Sequence, residues 1–196
     1  MESLRKGMTG EKIIHFQTPM MKKSGEKLFC ECSFSRIYKD GVLIGAQGTA
    51  ADISYRKLSE DALRENELKY RTLFETADDA ILLFVDGRWI DCNAAASKIF
   101  GCAREQIIGA HPSRFSPPTQ PDGRSSEDEA IKKINLAFTV GPQFFEWEHC
   151  RADGTPFPAE VSLNRLDLGG KPYMQAILRD ISDRKRAEGA RNLNSE

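Results

Sequence analysis

His149 is the residue of this 196-residue chain whose type and position offer the most chemistry. It closes an alternating run in which Phe145, Trp147 and His149 share one face of a predicted strand, while Glu146 and Glu148 face the other way. An imidazole among aromatic side chains could donate to a small ligand, bind haem, or titrate near neutral pH. A hydrogen-bonded core histidine fits the same pattern, and the sequence leaves these alternatives open.

Metal binding is not expected from the other metal-ligating side chains. The chain has five cysteines and three histidines, namely Cys30, Cys32, Cys92, Cys102, Cys150, His15, His111 and His149. No two cysteines form a C-x-x-C pair, and the histidines are scattered, whereas a zinc site needs four ligands at suitable spacing. We expect free thiols that pack as small apolar side chains, and no metal site.

Catalytic motifs are also missing from the sequence. It has no Gly-rich phosphate loop with its Lys-Ser/Thr, no Ser-His-Asp order and no kinase signature. The 28 basic and 29 acidic residues nearly cancel, which disfavours nucleic acid and anionic membranes as partners. No apolar run approaches the roughly 20 residues of a membrane span. The sequence therefore predicts a cytoplasmic protein that is not an enzyme.

A repeat dominates the organisation of the chain. The run Asp-Ile-Ser-x-Arg-Lys at residues 52–57 returns 128 positions later, at residues 180–185. Upstream, Gly25 and Glu31 match Gly154 and Glu160 at a spacing of 129, so one residue is deleted between the anchors. Only the second copy has about 60 further residues ahead of the matched region. The chain is therefore predicted to contain the back half of one module followed by one whole module.

The secondary-structure signals fit this division. Three strands over 11–23, 27–38 and 42–53 are separated by glycine turns, and a charged helix without glycine or proline follows. In the second copy, strands at 80–85 and 89–91 precede a helix at 94–100, which Asn93 caps and Gly101 ends. A short helix at 104–108, a proline-rich loop, a helix at 127–140 and three alternating strands complete it.

The predicted fold class is α+β, with helices on one face of a five-stranded antiparallel sheet. Residues 1–54 are assigned to the half-module, 55–76 to a connector helix, 77–183 to the complete module, and 184–196 to the start of an exit helix with a polar tail. The half-module lacks two strands of such a sheet, so we expect another copy or the complete module to cover its apolar face.

In this order and spacing, the motifs resemble the PAS family of sensory modules. They are the Asp-Gly-Arg-Trp-Ile-Asp-Cys-Asn run at 86–93, Ile107-Ile108-Gly109, the Arg-Ala-Asp-Gly-Thr-Pro run at 151–156, and the closing Asp-Ile-Ser-x-Arg-Lys. The resemblance covers about residues 67–188 in full and about 11–60 as a C-terminal half. It implies a tandem PAS fragment of a bacterial or archaeal signal-transduction protein such as a sensor histidine kinase.

The resemblance implies a sensory role. Such a module detects a small ligand or a partner and passes a strand displacement into its flanking helix, toward an output domain of the histidine kinase or diguanylate cyclase type. The relay residues it implies are the closing motifs, Asp180, Ile181 and Arg184 with Asp52, Ile53 and Arg56. The alternative is a dimerisation scaffold without a sensory role. Its dimer would form through the sheet or through the connector helix, where the candidate interface residues are Leu58, Ala62, Tyr70 and Leu73.

The resemblance also limits the cofactor. Light-sensing flavin modules of the family need a reactive cysteine after Gly109, and residues 109–115 hold none; haem-binding members place a histidine on the long helix, and 127–140 hold none. Flavin and haem are therefore both disfavoured. The remaining possibility is a small organic ligand that binds between the sheet and the long helix. Its lining would come from side chains that are equally good core residues: Ile81, Leu83, Phe100, Phe115, Ile134, Phe138, Phe145, Trp147, His149, Val161, Leu163 and Ile177.

Overall fold

The structure of the protein is a computed structural model that describes residues 15–193. Its strands are β1 (Phe16–Met21), β2 (Lys27–Lys39), β3 (Val42–Asp52), β4 (Ala80–Val85), β5 (Arg88–Cys92), β6 (Gln143–Cys150), β7 (Pro156–Leu168) and β8 (Lys171–Asp180). Its helices are α1 (Ser54–Glu75), α2 (Ala94–Phe100), α3 (Arg104–Ile107), α4 (Ser126–Thr139) and α5 (Ser182–Leu193), with a 3-10 turn over Pro112–Phe115. The start of the first predicted strand, residues 11–14, lies outside the described residues.

The chain divides into two compact units, and the division falls within α1, between Lys69 and Tyr70. The first unit contains an antiparallel sheet with the strand order β1-β2-β3. The second contains an antiparallel sheet with the order β5-β4-β8-β7-β6. The predicted α+β fold with a five-stranded antiparallel sheet is confirmed.

The two units share a strand register where the sequence repeats. In the first unit Gln17 pairs with Glu31, and in the second Glu146 pairs with Glu160. The closing Asp-Ile-Ser run also occupies the same place in both units. Its aspartate is the last residue of a strand, β3 or β8, and its serine is the first residue of the helix that follows, α1 or α5. The three-stranded sheet of the first unit exposes apolar side chains, and Phe34 for example is 41% exposed. We predict that another copy or the complete module covers the apolar face of this sheet.

The core of the second unit lies between one face of its sheet and the helices α2 and α4. Alternate strand residues face it, so Leu82 and Phe84 of β4 are buried while Leu83 between them is half-buried on the opposite face. The hairpin from β4 to β5 turns at Asp86-Gly87, whose φ angles of 48° and 79° are left-handed. Glycine adopts such angles without a steric cost, which explains the Asp-Gly pair.

Asn93 fixes the start of α2 within this core. Its side-chain oxygen accepts from the backbone amides of Ala96 (3.1 Å) and Ile81 (3.0 Å). Its amide nitrogen donates to the carbonyl oxygens of Phe74 (3.0 Å) and Asp79 (2.9 Å). The side chain is 1% exposed, and these four bonds use its full hydrogen-bonding capacity. One predicted helix cap therefore also joins the end of α1 to the sheet.

Candidate ligand cavity and helix-exit contacts

A cavity of about 60 Å³ lies between the inner face of the five-stranded sheet and the helices that cover it. The sheet contributes Phe84, Trp89, Phe145, Trp147, His149, Val161, Leu163, Met174, Ala176 and Leu178. The covering segments contribute Phe100, Pro112, Phe115, Ser116, Ala130, Lys133 and Ile134. Nearly all of these side chains are apolar, so the cavity suits a compact, largely apolar molecule.

His149 lies in the cavity wall at the end of β6, and its ring is stacked on Phe157 with centroids 5.7 Å apart. Its Nδ1 atom is 3.0 Å from the carbonyl oxygen of Phe115. The residue keeps some exposed surface, but its Nε2 atom is buried and has no hydrogen-bond partner among residues 15–193. Burial lowers the pKa of His149 from 6.5 to about 4, more than the bond to Phe115 raises it. The imidazole is therefore neutral at pH 7.

The two tryptophans of the cavity wall differ in how their indole N–H groups are used. Trp147 donates to the hydroxyl of Ser116 at 3.0 Å. Trp89 is 8% exposed, and its buried Nε1 atom has no partner in the part of the chain that the structure describes. Two residues that line the cavity, Trp89 and His149, thus each carry a buried nitrogen that no described residue pairs.

Lys133 brings a positive charge to the same wall. Its ammonium lies 4.9 Å from the centre of the Phe145 ring, where the electron-rich face of the ring attracts a cation. Phe145 in turn packs edge-on against Trp147, with centroids 5.8 Å apart. Because Phe145 and Trp147 both belong to β6, a ligand that displaced either ring would also displace the backbone of this strand.

Most of the residues predicted to line a pocket do so, and four do not. Phe100, Phe115, Ile134, Phe145, Trp147, His149, Val161 and Leu163 line the cavity. Phe138 packs against the core without lining the cavity. The assignments of Ile81, Leu83 and Ile177 were wrong, because all three lie on the opposite face of the sheet from their buried neighbours.

Sequence reasoning missed several lining residues, including Trp89, Lys133 and Met174. For β8 a signal was present: Ile177 shares its face with Gln175 and Arg179, which marks that face as the polar one, so Met174, Ala176 and Leu178 face the core. For β4 no signal was available, because all six of its residues are apolar. Pairing with β8, where Leu82 lies opposite Ala176, decides that face.

The exit from β8 into α5 is fixed by Asp180. Its Oδ1 accepts from the backbone amide of Ser182 at 2.9 Å and its Oδ2 from Arg151 at 2.7 Å. Burial raises the pKa of Asp180, but the bonds from Ser182 and Arg151 outweigh it, so its pKa lies below the usual range. Ile181 is 3% exposed and its amide donates to the carbonyl of Pro158. These contacts hold the start of α5 on the sheet.

Ion pairs join the first turn of α5 to the two strands β7 and β6. Arg184 contacts Glu160 at 2.6 Å and Glu146 at 3.2 Å, and Lys185 contacts Glu146 at 2.5 Å. The bond and charge of Lys185 lower the pKa of the Glu146 carboxyl. Glu146 lies between Phe145 and Trp147, so the strand that borders the cavity also holds the helix.

The exit of the first copy is similar but weaker. Asp52 accepts from the amide of Ser54 at 2.9 Å, and Ile53 is 7% exposed, as in the second copy. Arg56 contacts Glu31 at 3.4 Å. Gln17 stands where Glu146 stands in the second copy, and it donates to Glu31 at 3.1 Å. The first copy thus keeps the helix start but lacks the acid that ties the helix to the edge strand.

Other chemistry is not indicated within the described range 15–193. There, no three His, Cys, Asp or Glu side chains lie close enough together to hold a metal ion. All five cysteines are free thiols, and burial raises the pKa of Cys92. Among residues 15–193 no helix combines the length and the apolar character that a bilayer crossing needs.

The second unit thus combines a five-stranded antiparallel sheet, helices on one face, an apolar cavity between them and a helix that follows the last strand. The family model for the PAS domain matches residues 78–183. The chain therefore belongs to the PAS domain family.

Two of the curated relatives are named as sensors. The chain is 32% identical over 136 residues to the methyl sulfide methyltransferase-associated sensor of Methanosarcina acetivorans, covering 68% of this chain and 13% of the relative. It is 30% identical over 156 residues to the sensor protein FixL of Bradyrhizobium diazoefficiens, covering 76% of this chain and 30% of the relative. The chain thus spans less than a third of the length of either relative, and it is a PAS protein related to sensors.

Solved structures agree on the fold. The PAS domain of an HTR-like protein from Haloarcula marismortui is 26% identical with a TM-score of 0.53, covering 64% of this chain and 99% of that chain. A PAS domain from Colwellia psychrerythraea is 24% identical with a TM-score of 0.52, covering 59% of this chain and 98% of that chain.

Proposed function

We propose that this chain senses a small molecule in the cavity of its complete PAS domain and relays occupancy of the cavity through α5. The output domain, of the histidine kinase or diguanylate cyclase type, belongs to the parent protein, acts in the cytoplasm and supplies any catalysis. One observation carries the proposal: on β6, Trp147 lines the cavity while the adjacent Glu146 holds Arg184 and Lys185 of α5.

Strand geometry supports the relay. Neighbouring residues of a strand point to opposite faces, so a ligand that pushes Trp147 moves the backbone that also bears Glu146. Among the described strands β6 pairs with β7 alone, and an edge strand shifts at a lower cost than a central one. Displacement of Glu146 changes the ion pairs at the first turn of α5, and the helix carries the change onward.

A cavity-filling variant tests the relay without a known ligand. Ala130 of α4 lines the cavity, and Ala130→Leu places extra apolar atoms where a ligand would lie. Ala94→Leu adds the same atoms at an exposed position of α2 and serves as the matched control. We expect Ala130→Leu, but not Ala94→Leu, to change amide hydrogen exchange in α5 severalfold. A folded Ala130→Leu protein with wild-type exchange in α5 would contradict the relay.

A second candidate function, assembly through α1, is favoured by the apolar side chains that this helix exposes. Leu58 is 70% exposed, Leu73 is 74% exposed and Tyr70 is 54% exposed, while Ala62 completes the predicted seam. Apolar residues at such spacing form the interface of two-helix coiled coils. In this case the chain forms a parallel homodimer whether or not the cavity is occupied.

Sedimentation equilibrium separates the two functions. We expect Leu58→Gln or Leu73→Gln to raise the dimer dissociation constant at least tenfold if α1 forms the seam. Leu68→Gln is the control, because Leu68 is 57% exposed but lies on another face of the helix. If the wild-type chain is monomeric at millimolar concentration, the scaffold hypothesis is wrong. If it dimerises without a ligand and α5 does not respond to Ala130→Leu, the scaffold is favoured over sensing.

A further inference from the structure

Lys133 lies where the apolar cavity meets a groove that runs beside β6. The groove has a volume of about 440 Å³, and three side chains, Lys133, Phe145 and Trp147, line both the groove and the cavity. On α4, Ala130, Lys133 and Ile134 occupy the i, i+3 and i+4 positions of one helix face, and all three line the cavity. Lys133 therefore belongs to the walls of both spaces.

The positive charge of Lys133 has no ion-pair partner in the part of the chain that the structure describes. Glu129 lies one helical turn earlier, but its carboxylate contacts Arg124 at 2.9 Å and Lys132 at 3.6 Å. Among residues 15–193 the half-buried Lys133 makes no ion pair, and its ammonium lies 4.9 Å from the centre of the Phe145 ring. An anion that reaches the mouth of the cavity meets this ammonium.

The acidic residues of the groove leave this position open to an anion. Besides Glu129 they are Asp122, Glu146 and Glu148. The first two of these three form ion pairs with basic neighbours. Glu148 forms none within residues 15–193, but strand alternation places it with Glu146 on the outer face of β6. Lys133 lies over Phe145, on the inner face, so the strand separates the two charges.

We propose that the complete domain binds a short monocarboxylate, whose apolar tail enters the cavity and whose carboxylate accepts a hydrogen bond from the ammonium of Lys133 at the mouth. The apolar lining suits the tail, and one negative charge matches one ammonium. This identification of the ligand class rests on the proposed sensory function, which it deepens.

Size and charge limit the class. A water molecule needs about 10–15 Å³ of the same measure of cavity volume, so about 60 Å³ has room for a tail of roughly three or four carbon atoms. The carboxylate stays at the groove and keeps part of its hydration, which avoids the cost of burying a charge in the apolar cavity. A second negative charge, as in a dicarboxylate or a phosphate, would have no partner there.

Three probes separate the contributions of tail and charge. Butyrate has both a three-carbon tail and a negative charge. Butyramide has the same number of non-hydrogen atoms but no charge, and acetate has the charge without the longer tail. The chain has two tryptophans, and Trp147 lines both the cavity and the groove, so its indole N–H signal reports binding at their junction.

Titration of the whole chain with each probe, followed by the indole N–H signals, tests the proposal. We expect butyrate to bind at least fivefold more tightly than butyramide because of the charge-assisted bond to Lys133. Butyrate should also bind about tenfold more tightly than acetate, since each buried methylene group favours binding by about fourfold. Equal affinities for butyrate and butyramide, equal affinities for butyrate and acetate, or no response to any probe would overturn the proposal.

A pair of lysine variants assigns the charge effect. Lys133→Met keeps an unbranched apolar stem and should lower the affinity for butyrate to that for butyramide. Lys132→Met removes the same charge from the neighbouring position, whose ammonium contacts Glu129, and should leave the preference for butyrate intact. An equal loss in both variants would mean that butyrate responds to net charge and not to Lys133. The comparison of probes on the wild-type chain holds even if Lys133→Met does not fold.

The ligand class and the relay can fail separately. If butyrate binds with the expected preference and amide exchange in α5 does not change, the relay is wrong and the ligand class stands. If butyramide binds as tightly as butyrate and α5 responds, the ligand class is wrong and the relay stands.

Discussion

The Oε2 atom of Glu146 lies 2.5 Å from the ammonium of Lys185, which joins an edge strand of the sheet to the first turn of the exit helix. Glu146 also contacts Arg184, and Glu160 of the neighbouring strand contacts the same arginine. Two strands therefore hold one helix turn, and the next residue along β6, Trp147, lines the cavity. Ion pairs with β6 and β7 therefore add to the buried Ile181 in holding the helix, and a shift of β6 changes the two pairs that Glu146 makes.

Replacing Glu146 by glutamine should loosen α5 without unfolding the domain. Glu146→Gln removes both ion pairs to α5 while keeping the side-chain shape, and exposed ion pairs stabilise only weakly. We expect about threefold faster amide exchange over residues 184–191, and a nearly unchanged unfolding temperature.

The matched control is Glu148→Gln, on the same face of β6 two residues further along. It should leave exchange in α5 at the wild-type rate. Identical exchange rates in the two variants would show that the contact of Glu146 does not hold the helix.

Stability should fall between pH 6.5 and about 4 because of His149. Its pKa is lowered to about 4 in the folded protein, so in this range the unfolded chain takes up a proton that the folded chain does not. The effect is absent above pH 6.5 and reaches about 3 kcal/mol near pH 4.

Urea unfolding at several pH values, followed by tryptophan fluorescence, measures this slope. Carboxylates such as Asp180, whose pKa is lowered, lose their contribution at lower pH, so the comparison is made between pH 5 and 6.5. His149→Phe should flatten the wild-type slope in this window. A slope that persists in the variant would assign it to other groups.

Asn93→Ala should cost about 3 kcal/mol of unfolding free energy, since it removes all four hydrogen bonds of a side chain that is 1% exposed. Asn164→Ala is the control, because the half-buried amide of Asn164 makes one hydrogen bond within the described range, to the hydroxyl of Ser162. It should cost less than about 1 kcal/mol. Equal losses in urea unfolding would mean that the network of Asn93 contributes no more than an ordinary side-chain bond.

The repeat provides a matched pair of aspartates. Asp180→Asn loses the charge that faces Arg151 and should destabilise the complete domain by about 1–2 kcal/mol. Asp52→Asn alters the equivalent position of the first unit, where Asp52 accepts from Ser54. Both tryptophans, Trp89 and Trp147, belong to the complete domain, so their fluorescence reports that domain. A comparable shift from Asp52→Asn would indicate that the two units unfold together.

Local signals predicted β4, β5 and the helices α2, α3 and α4 to within one residue at each end. The cap at Asn93, the left-handed Gly101 after α2 and the turn at Asp86-Gly87 depend on residues adjacent in sequence, and all three are confirmed. It was harder to predict which face of a strand points toward the core. Ile177 was placed inward although Gln175 and Arg179 share its face, and in β4 the run of six apolar residues offers no alternation to interpret.

The sequence by itself determined the repeat, the order of strands and helices, the family and the alternating β6 face that carries Phe145, Trp147 and His149. These depend on periodicity and on short-range turn and cap chemistry. Only the tertiary structure decided that Trp89 and His149 both line the cavity, that Trp147 donates to Ser116 while no residue in 15–193 pairs with the indole N–H of Trp89, and that Glu146 holds α5. Such relations depend on strand pairing and helix packing between distant residues, and a linear pattern does not encode which polar atoms that packing leaves unpaired.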